Sequence, residues 1–426
     1  MHTFQAAMPV VIHALYLFSE YETIIDTYLL KIFWFFGVTD PMRLFRSVIL
    51  QQVMGTEYQC HYRQFYPEIK SYFSSCCSLC GVDTMMRHVG KITNSMASWK
   101  LTMIQASMIK IRCPELLSSG GKMVLDIDVT TVLSSSSKKE GAESGYNKLR
   151  KGKPCFQLSA AFMGKVFVDA KLFPGSSNPK DHFQKTVRRV RSLGFPVKIV
   201  RADRAYMTHG NLSFLERLSL GYALGAPATF NAVKDGIKLF GQLSRKKSSR
   251  ILSVRKGVSI LDLGMITLGD GVETRLIIVR RISRTRKKGA LKVSTFYYGI
   301  ATNLQITPRK LYKFYHKRQC IEAGFRELRN HWHLERLPFK TLKANEFWVI
   351  SKITAMTLFK IFQHETLPKA LRSLLRKTLY RRVFKKGLRI GKAGELEIDA
   401  KSKYNWLLRR LLCKTARMKS ALKPCQ

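Results

Sequence analysis

The sequence predicts a mixed α/β protein in which a β-rich segment interrupts the main sheet and helical regions flank it. Apolar runs rich in β-branched residues predict a buried strand over 123–133 and a shorter one over 197–200. Polar residues at helical spacing over 315–329 predict a helix. Alternating apolar runs between 251 and 301, with a Gly-Asp-Gly turn, predict antiparallel hairpins.

The composition indicates a partner with many negative charges. The 426 residues include 74 Lys+Arg and 28 Asp+Glu, a net charge of +46. Such an excess favours a polyanion such as nucleic acid. Because 46% of residues are hydrophobic and 11% aromatic, the chain is not a disordered basic tail.

The amino-terminal region predicts a small helical bundle. Residues 9–38 are apolar, but Glu20, Glu22, Asp26 and Lys31 leave no stretch long enough to span a bilayer. The start also lacks a basic segment followed by a continuous apolar one, so we expect no secretory signal and no membrane partner.

Nine cysteines without regular spacing fit a reducing cytosol. Cys76, Cys77 and Cys80 form a tight cluster, but no second Cys or His pair lies at zinc-finger spacing. Free thiols are therefore the interpretation we favour over a zinc site.

Three acidic positions are candidates for one site. Asp126 and Asp128 fall on the same face of the first predicted strand, and Asp203 follows the second strand near its carboxyl end. On the predicted helix, Glu322 is the single carboxylate in a stripe of cations and a tyrosine. That stripe consists of Tyr315, Arg318, Glu322, Arg326 and Arg329. Such a stripe could bind a phosphate backbone next to a metal ion. The alternative interpretation is a charged helix face that is simply solvated.

These residues resemble the DDE transposases of bacterial insertion sequences, in the insertion-sequence-4-like group with the signature Y-x2-R-x3-E-x6-K. Tyr315, Arg318 and Glu322 match the spacing, and Arg329 stands where the family has Lys. LDIDVTTV and VRADRAY are similar to the family's first and second aspartate strands, and YYGIATNL to the strand before the signature helix. The resemblance covers roughly residues 120–385.

The resemblance implies an RNase H-like core and a site with two divalent ions. Its catalytic and metal-binding acids would be Asp128, Asp203 and Glu322, with Asp126 as the competing choice for the first position. Hard carboxylate oxygens favour Mg²⁺, with Mn²⁺ as a substitute. The DNA- and phosphate-binding residues would be Tyr315, Arg318, Arg326 and Arg329.

The resemblance also implies a division of the chain. Asp203 and Glu322 lie 119 positions apart, more than one strand-helix crossover requires, so a segment must be inserted between them. The implied parts are a helical DNA-binding region (1–118), two core segments (119–229 and 295–365), a β-rich insertion (230–294) and a basic helical region (366–426).

The implied function is cut-and-paste DNA transposition by a cytoplasmic, DNA-associated protein. Its partners would be the terminal inverted repeats and target DNA, bound by a homodimer. The alternatives are a noncatalytic DNA-binding relic and a nucleoid-type protein. Basic clusters at 244–250, 279–292 and 369–392 predict phosphate contacts, and the Ser- and Lys-rich residues 134–153 predict a flexible loop.

Overall fold

A computed structural model of the chain shows helices packed around one large mixed sheet. It describes residues 2–23, 25, 40–55, 63–64, 66–67, 70, 78–118, 121–145, 150–268, 271–287, 290–385, 388–390, 396–398 and 404–420. Cys76 and Cys77 of the predicted thiol cluster lie outside these residues, and Cys80 is buried.

Helices account for most of the described residues before 118, and after 366 they are joined by a short two-stranded sheet. They are α1 (His2–Glu20), α2 (Pro41–Met54), α3 (Val82–Gly90), α4 (Met96–Arg112), α5 (Phe183–Ser192), α6 (His209–Arg217), α7 (Asn231–Arg245), α8 (Pro308–His316), α9 (Gln319–His331), α10 (Leu342–Thr366), α11 (Arg376–Leu379) and α12 (Asn405–Ser420). Their starts follow known capping rules. Thr341 caps α10 by accepting a hydrogen bond from the Ala344 amide, and Pro308 opens α8.

The strands include those that the sequence predicts. They are β1 (Val124–Leu133), β2 (Glu143–Ser144), β3 (Pro154–Met163), β4 (Val166–Pro174), β5 (Ile199–Ala202), β6 (Gly221–Ala226), β7 (Ile251–Arg255), β8 (Val258–Thr267), β9 (Glu273–Lys287), β10 (Ala290–Thr302), β11 (Leu388–Ile390) and β12 (Leu396–Ile398). The second predicted strand thus begins and ends two residues later than expected.

Strand β1 lies between β3 and β5 in the main sheet. The order is β2-β3-β1-β5-β6-β10-β9-β8-β7. β4 pairs with the part of β3 that β2 does not contact. β1 is antiparallel to β3 and parallel to β5, which in turn is parallel to β6. Asp128 directly follows the residues of β1 that pair with β5, and Asp203 directly follows β5 itself, so the parallel pairing brings the two aspartates side by side.

The β-rich segment continues the main sheet. β7 to β10 form the predicted antiparallel hairpins, and β10 pairs with β6 of the core. The expected insertion boundary at residue 294 therefore falls inside β10, and the segment opens with the helix α7 before its first strand. Shared backbone hydrogen bonds therefore fix the segment to β6, which lies next to β5.

Helix α10 joins the amino-terminal helices to the sheet. It packs against α2, α4 and β4, and most of its 25 residues are buried. One cluster of buried apolar side chains runs from α1 through α10 into the sheet. None of the described helices is both long enough and apolar enough to cross a bilayer.

Two expectations about polar segments need correction. The described part of the 134–153 loop is anchored, because Glu140 accepts a hydrogen bond from the Leu342 amide and Lys139 donates to the Leu337 carbonyl. Tyr146 and Asn147 of that loop lie outside the described residues. In the basic cluster at 369–392, Arg376 is buried and donates to the carbonyls of Gln52 and Val53, so it stabilises the fold and does not face DNA.

Candidate active site

An open cleft of about 990 Å³ brings the predicted acids and cations together. Strand β1, the turn after β5 and helix α9 form most of its wall. The predicted site residues that line it are Asp128, Asp203, Arg318, Glu322, Arg326 and Arg329. Residues far apart in sequence thus meet on one concave surface, as a binding or catalytic site requires.

Asp128 projects from β1 into the cleft. Its Oδ1 accepts a hydrogen bond from the Val129 amide at 2.9 Å, and its Oδ2 contacts the Arg318 guanidinium at 2.8 Å. Burial raises its pKa to about 6; Arg318 opposes the shift and the charge of Asp203 adds to it. Burial of the carboxylate is therefore the main cause of the shift, and the neighbouring charges modify it.

Asp203 directly follows β5 and begins a 3-10 turn over Arg204–Tyr206. Its Oδ1 accepts a hydrogen bond from the Arg204 amide at 2.7 Å, which fixes the carboxylate at the carboxyl end of β5. The sequence prediction that this aspartate lies near the strand's carboxyl end is confirmed.

Arg318 joins two of the acids. One of its terminal nitrogens lies 2.8 Å from Asp128 and the other 2.5 Å from Glu322. The guanidinium is thus an ion-pair partner of both carboxylates, although the sequence pattern predicted only phosphate contacts for it. Its planar fork suits two simultaneous carboxylate contacts.

The predicted signature helix is divided. α8 ends at His316 and α9 begins at Gln319, and between them the Arg318 and Ile321 amides bond to carbonyls three residues earlier. The turn is therefore tighter than an α-helical one. Its consequence is that Arg318 precedes α9 and faces β1, while Glu322, in the first turn of α9, is exposed at the cleft.

Arg329 and Arg326 occupy the same side of α9. Arg329 donates to the Thr130 hydroxyl and the Thr131 carbonyl, both at 3.1 Å, and contacts Glu335 at 3.1 Å. It therefore ties α9 to β1. Arg326 is exposed on the cleft wall.

Tyr315 is the stripe residue that does not line the main cleft. It is buried at the end of α8 and lines a smaller adjoining cavity of about 370 Å³ together with Asp203 and Arg318. Gly225 on β6 leaves space for its hydroxyl, because a Cβ there would lie only 2.4 Å from that oxygen. Burial raises the pKa of Tyr315 to about 12, so it stays protonated at neutral pH.

Asp126 has a different environment from Asp128. It forms a two-point ion pair with Arg201, its cross-strand neighbour on β5, with both contacts at 2.7 Å and both side chains 1% exposed. Arg201 also donates to the Phe314 carbonyl of α8 at 2.6 Å. Asp126 is thus engaged inside the protein and does not line the cleft.

A second cluster of metal-ligand types lies away from the cleft. Within the described ranges, Cys113, Glu115 and His364 are the only group of three His, Cys, Asp or Glu side chains with ligand atoms mutually within 4.8 Å. His364 pairs with Glu115 at 2.9 Å, and burial raises the pKa of the Cys113 thiol to about 12. We interpret this cluster as a hydrogen-bonded His-Glu pair beside a neutral thiol.

The donor set of the cleft fits hard divalent cations. It offers three carboxylates, from β1, from the turn after β5 and from α9, all lining one cleft. Pairs of divalent ions about 3.5–4 Å apart, held by carboxylate oxygens, are the usual arrangement for metal-assisted phosphoryl transfer. Asp128, Asp203 and Glu322 are the residues that would hold them.

The cleft and sheet define a protein with a carboxylate site suited to phosphoryl chemistry, and family comparison gives its class. Residues 43–418 match the model of the family described as Transposase DDE domain group 1. The chain belongs to this family and is a DDE transposase. A search of curated proteins found no match.

Among solved structures, the chain is similar to a piggyBac transposase synaptic complex with hairpin DNA. The TM-score is 0.45 and the sequence identity 11%, over 96% of this chain and 85% of that chain.

The raised pKa of Asp128 predicts a pH-dependent stability difference between wild type and Asp128→Asn. The folded protein binds a proton more tightly than the unfolded chain, whose aspartate pKa is 3.8, so wild type loses stability as pH rises from about 4 to about 6. We expect the variant to gain about 2 kcal/mol relative to wild type across that window. Denaturant titrations at several pH values measure it, and a constant difference would contradict the assigned burial effect.

Proposed function

We propose that this protein catalyses divalent-metal-dependent cleavage of the ends of its own element and joins them to target DNA. The observation that supports this most directly is the convergence of Asp128, Asp203 and Glu322 at one cleft in a chain of the DDE family. The central β1, with β3 and β4 on one side and β5 and β6 on the other, supports an RNase H-like core.

Asp128 is our choice for the first carboxylate. It lines the cleft with Asp203 and Glu322, whereas Asp126 is held by Arg201. The resident cation is proposed to be Mg²⁺, with Mn²⁺ as a substitute, because all three ligands are hard oxygens. When bound, the two ions would supply activation of the attacking oxygen and stabilisation of the leaving oxygen.

The proposed reaction has two phosphoryl transfers in the same cleft. In the first, a water oxygen bonds to phosphorus and the bond to the 3′ oxygen breaks, which leaves a 3′-hydroxyl and a 5′-phosphate. In the second, that 3′ oxygen bonds to a target phosphorus and releases a target 3′-hydroxyl. Only the nucleophile differs between the steps, so one set of acids serves both.

The cations on the cleft wall are proposed to position the DNA strand. Arg326 is exposed beside Glu322, and Arg329 holds α9 to β1 while its guanidinium borders the cleft. Arg318 neutralises part of the negative charge of Asp128 and Glu322. Once divalent cations also bind these two acids, we expect Arg318 to contact phosphate. Tyr315, in the adjoining cavity, would contact DNA beside the cut.

We also propose roles for the other parts of the chain. Residues 1–118 would bind the terminal inverted repeats, and two protomers would hold two ends. The basic strands β9 and β10, and the cations of 369–392 other than the buried Arg376, would supply positive charge along which a duplex backbone can lie. The insertion assigned to 230–294 would act with the core, since its strands extend the core sheet.

The test is cleavage of a labelled duplex carrying the element's own ends, with Mg²⁺, with Mn²⁺ and with chelator. We expect cutting with either cation, none with chelator, and DNA binding in all three conditions. Binding without cutting in every condition would contradict the proposal and indicate a noncatalytic DNA-binding relic. Equal binding to unrelated duplexes, also without cutting, would favour a nucleoid-type protein.

A further inference from the structure

Tyr206 lines the acid cleft, and its hydroxyl is a buried polar group. The side chain is 1% exposed, and its oxygen has no hydrogen-bond partner among the described residues. Several other buried polar atoms in these ranges also lack partners, but Tyr206 is the one among them whose side chain lines this cleft. A buried hydroxyl without a partner is unfavourable, so a ligand atom that accepts a hydrogen bond from it would be stabilising.

The backbone around Tyr206 fixes the ring in place. Its amide donates to the Asp203 carbonyl at 3.0 Å within the 3-10 turn, and its carbonyl accepts from the Asn211 side chain at 2.8 Å. The ring packs against Phe183, with centroids 5.4 Å apart. Because the turn that presents Asp203 also presents Tyr206, the hydroxyl keeps a constant relation to the catalytic acids.

The surroundings make this hydroxyl a hydrogen-bond donor. Burial raises its pKa well above the usual value, and the charges of Asp128 and Asp203 raise it further. It is therefore protonated at any working pH. A ligand that enters the cleft and accepts a hydrogen bond there, such as a phosphate oxygen, would satisfy it.

We propose that the Tyr206 hydroxyl donates a hydrogen bond to a non-bridging oxygen of the phosphate that is cut. This inference rests on the proposed function and adds a residue outside the family's acid triad and signature. The donor would hold the phosphate in line between the acids. It would also stabilise the negative charge that those oxygens carry in the transition state.

Tyr206→Phe removes the hydroxyl and keeps the ring. We expect single-turnover cleavage to fall about 10- to 100-fold, a loss typical of one fixed donor, with unchanged affinity for element ends. The unfolding temperature should be equal or higher, because the variant loses an unpaired polar atom. The matched control is Tyr222→Phe, whose hydroxyl donates to Thr274 at 3.0 Å, so that variant should lose stability and keep its cleavage rate per folded molecule.

A phosphorothioate at the cut site tests the contact itself. Sulfur accepts hydrogen bonds poorly, so the penalty of Tyr206→Phe should shrink for one of the two diastereomers and persist for the other. An unchanged cleavage rate in Tyr206→Phe would overturn the inference, as would a lost rate with a large fall in unfolding temperature. If wild type itself does not cut, the proposed function fails first, and this inference fails with it.

Discussion

Asp128→Asn, Asp203→Asn and Glu322→Gln are each expected to lower cleavage of element ends by at least about 1000-fold. Each change keeps side-chain size and removes one negative charge, so the site loses a hard anionic ligand. The three residues line one cleft, and Asp128 and Glu322 share a contact with Arg318. Affinity for the ends should stay within a few-fold of wild type, because recognition is assigned to other surfaces.

Glu335→Gln is the matched control for these variants. Glu335 is also an acidic residue that lines the cleft, but it pairs with Arg329 and is not one of the three predicted metal ligands. We expect it to change cleavage less than 10-fold. Gel-shift and single-turnover assays on the same labelled duplex give both quantities. A triad variant with near-wild-type cutting would remove that residue from the proposed site.

Local sequence patterns predicted the elements that carry the acids. The β-branched run ending in Leu133 predicted β1, and the apolar residues before Asp203 predicted a strand ending near it. Side-chain alternation then placed Asp126 and Asp128 on one face. These predictions succeeded because they depend on neighbouring residues, whose preferences agree with the final fold.

Contacts between residues far apart in sequence could not be predicted from such local patterns. Arg201 and Asp126 are cross-strand partners on parallel strands 75 positions apart, and nothing local distinguishes that pair from a functional one. The tight turn at Arg318 also follows from packing, since the offsets of the stripe fit a continuous helix equally well. Tyr206 was missed because its significance depends on a hydroxyl that only the folded structure shows to be unpaired.

The attachment of β7–β10 to the main sheet also depends on contacts between distant parts of the chain. The hairpins were predictable from alternation and turn residues, but their attachment depends on the pairing of β10 with β6. Edge strands offer unpaired backbone groups to any strand that reaches them, so sequence alone does not specify the partner. The result is one sheet that spans the proposed insertion and the acid site.

Asp126→Asn is expected to destabilise the protein by about 3–5 kcal/mol, the cost typical of breaking one side of a buried ion pair. Arg201 would keep its charge at 1% exposure but lose its anionic partner, because asparagine offers one neutral oxygen and a donor in place of two charged oxygens. Its bond to the Phe314 carbonyl could not neutralise that charge. Denaturant unfolding monitored by circular dichroism measures the loss. Asp128→Asn, the same substitution two residues away, serves as the control and should show no such loss at pH 7.

The same pair of variants decides which aspartate is the first carboxylate. If Asp126 serves the fold and Asp128 the chemistry, Asp126→Asn should cut DNA at a near-wild-type rate per folded molecule, whereas Asp128→Asn should be folded and inactive. Replacing both members of the buried pair, as in Asp126→Leu with Arg201→Met, should restore part of the lost stability, because no charge is left unpaired. A stable but inactive Asp126→Asn protein would reverse the assignment and make Asp126 the metal ligand.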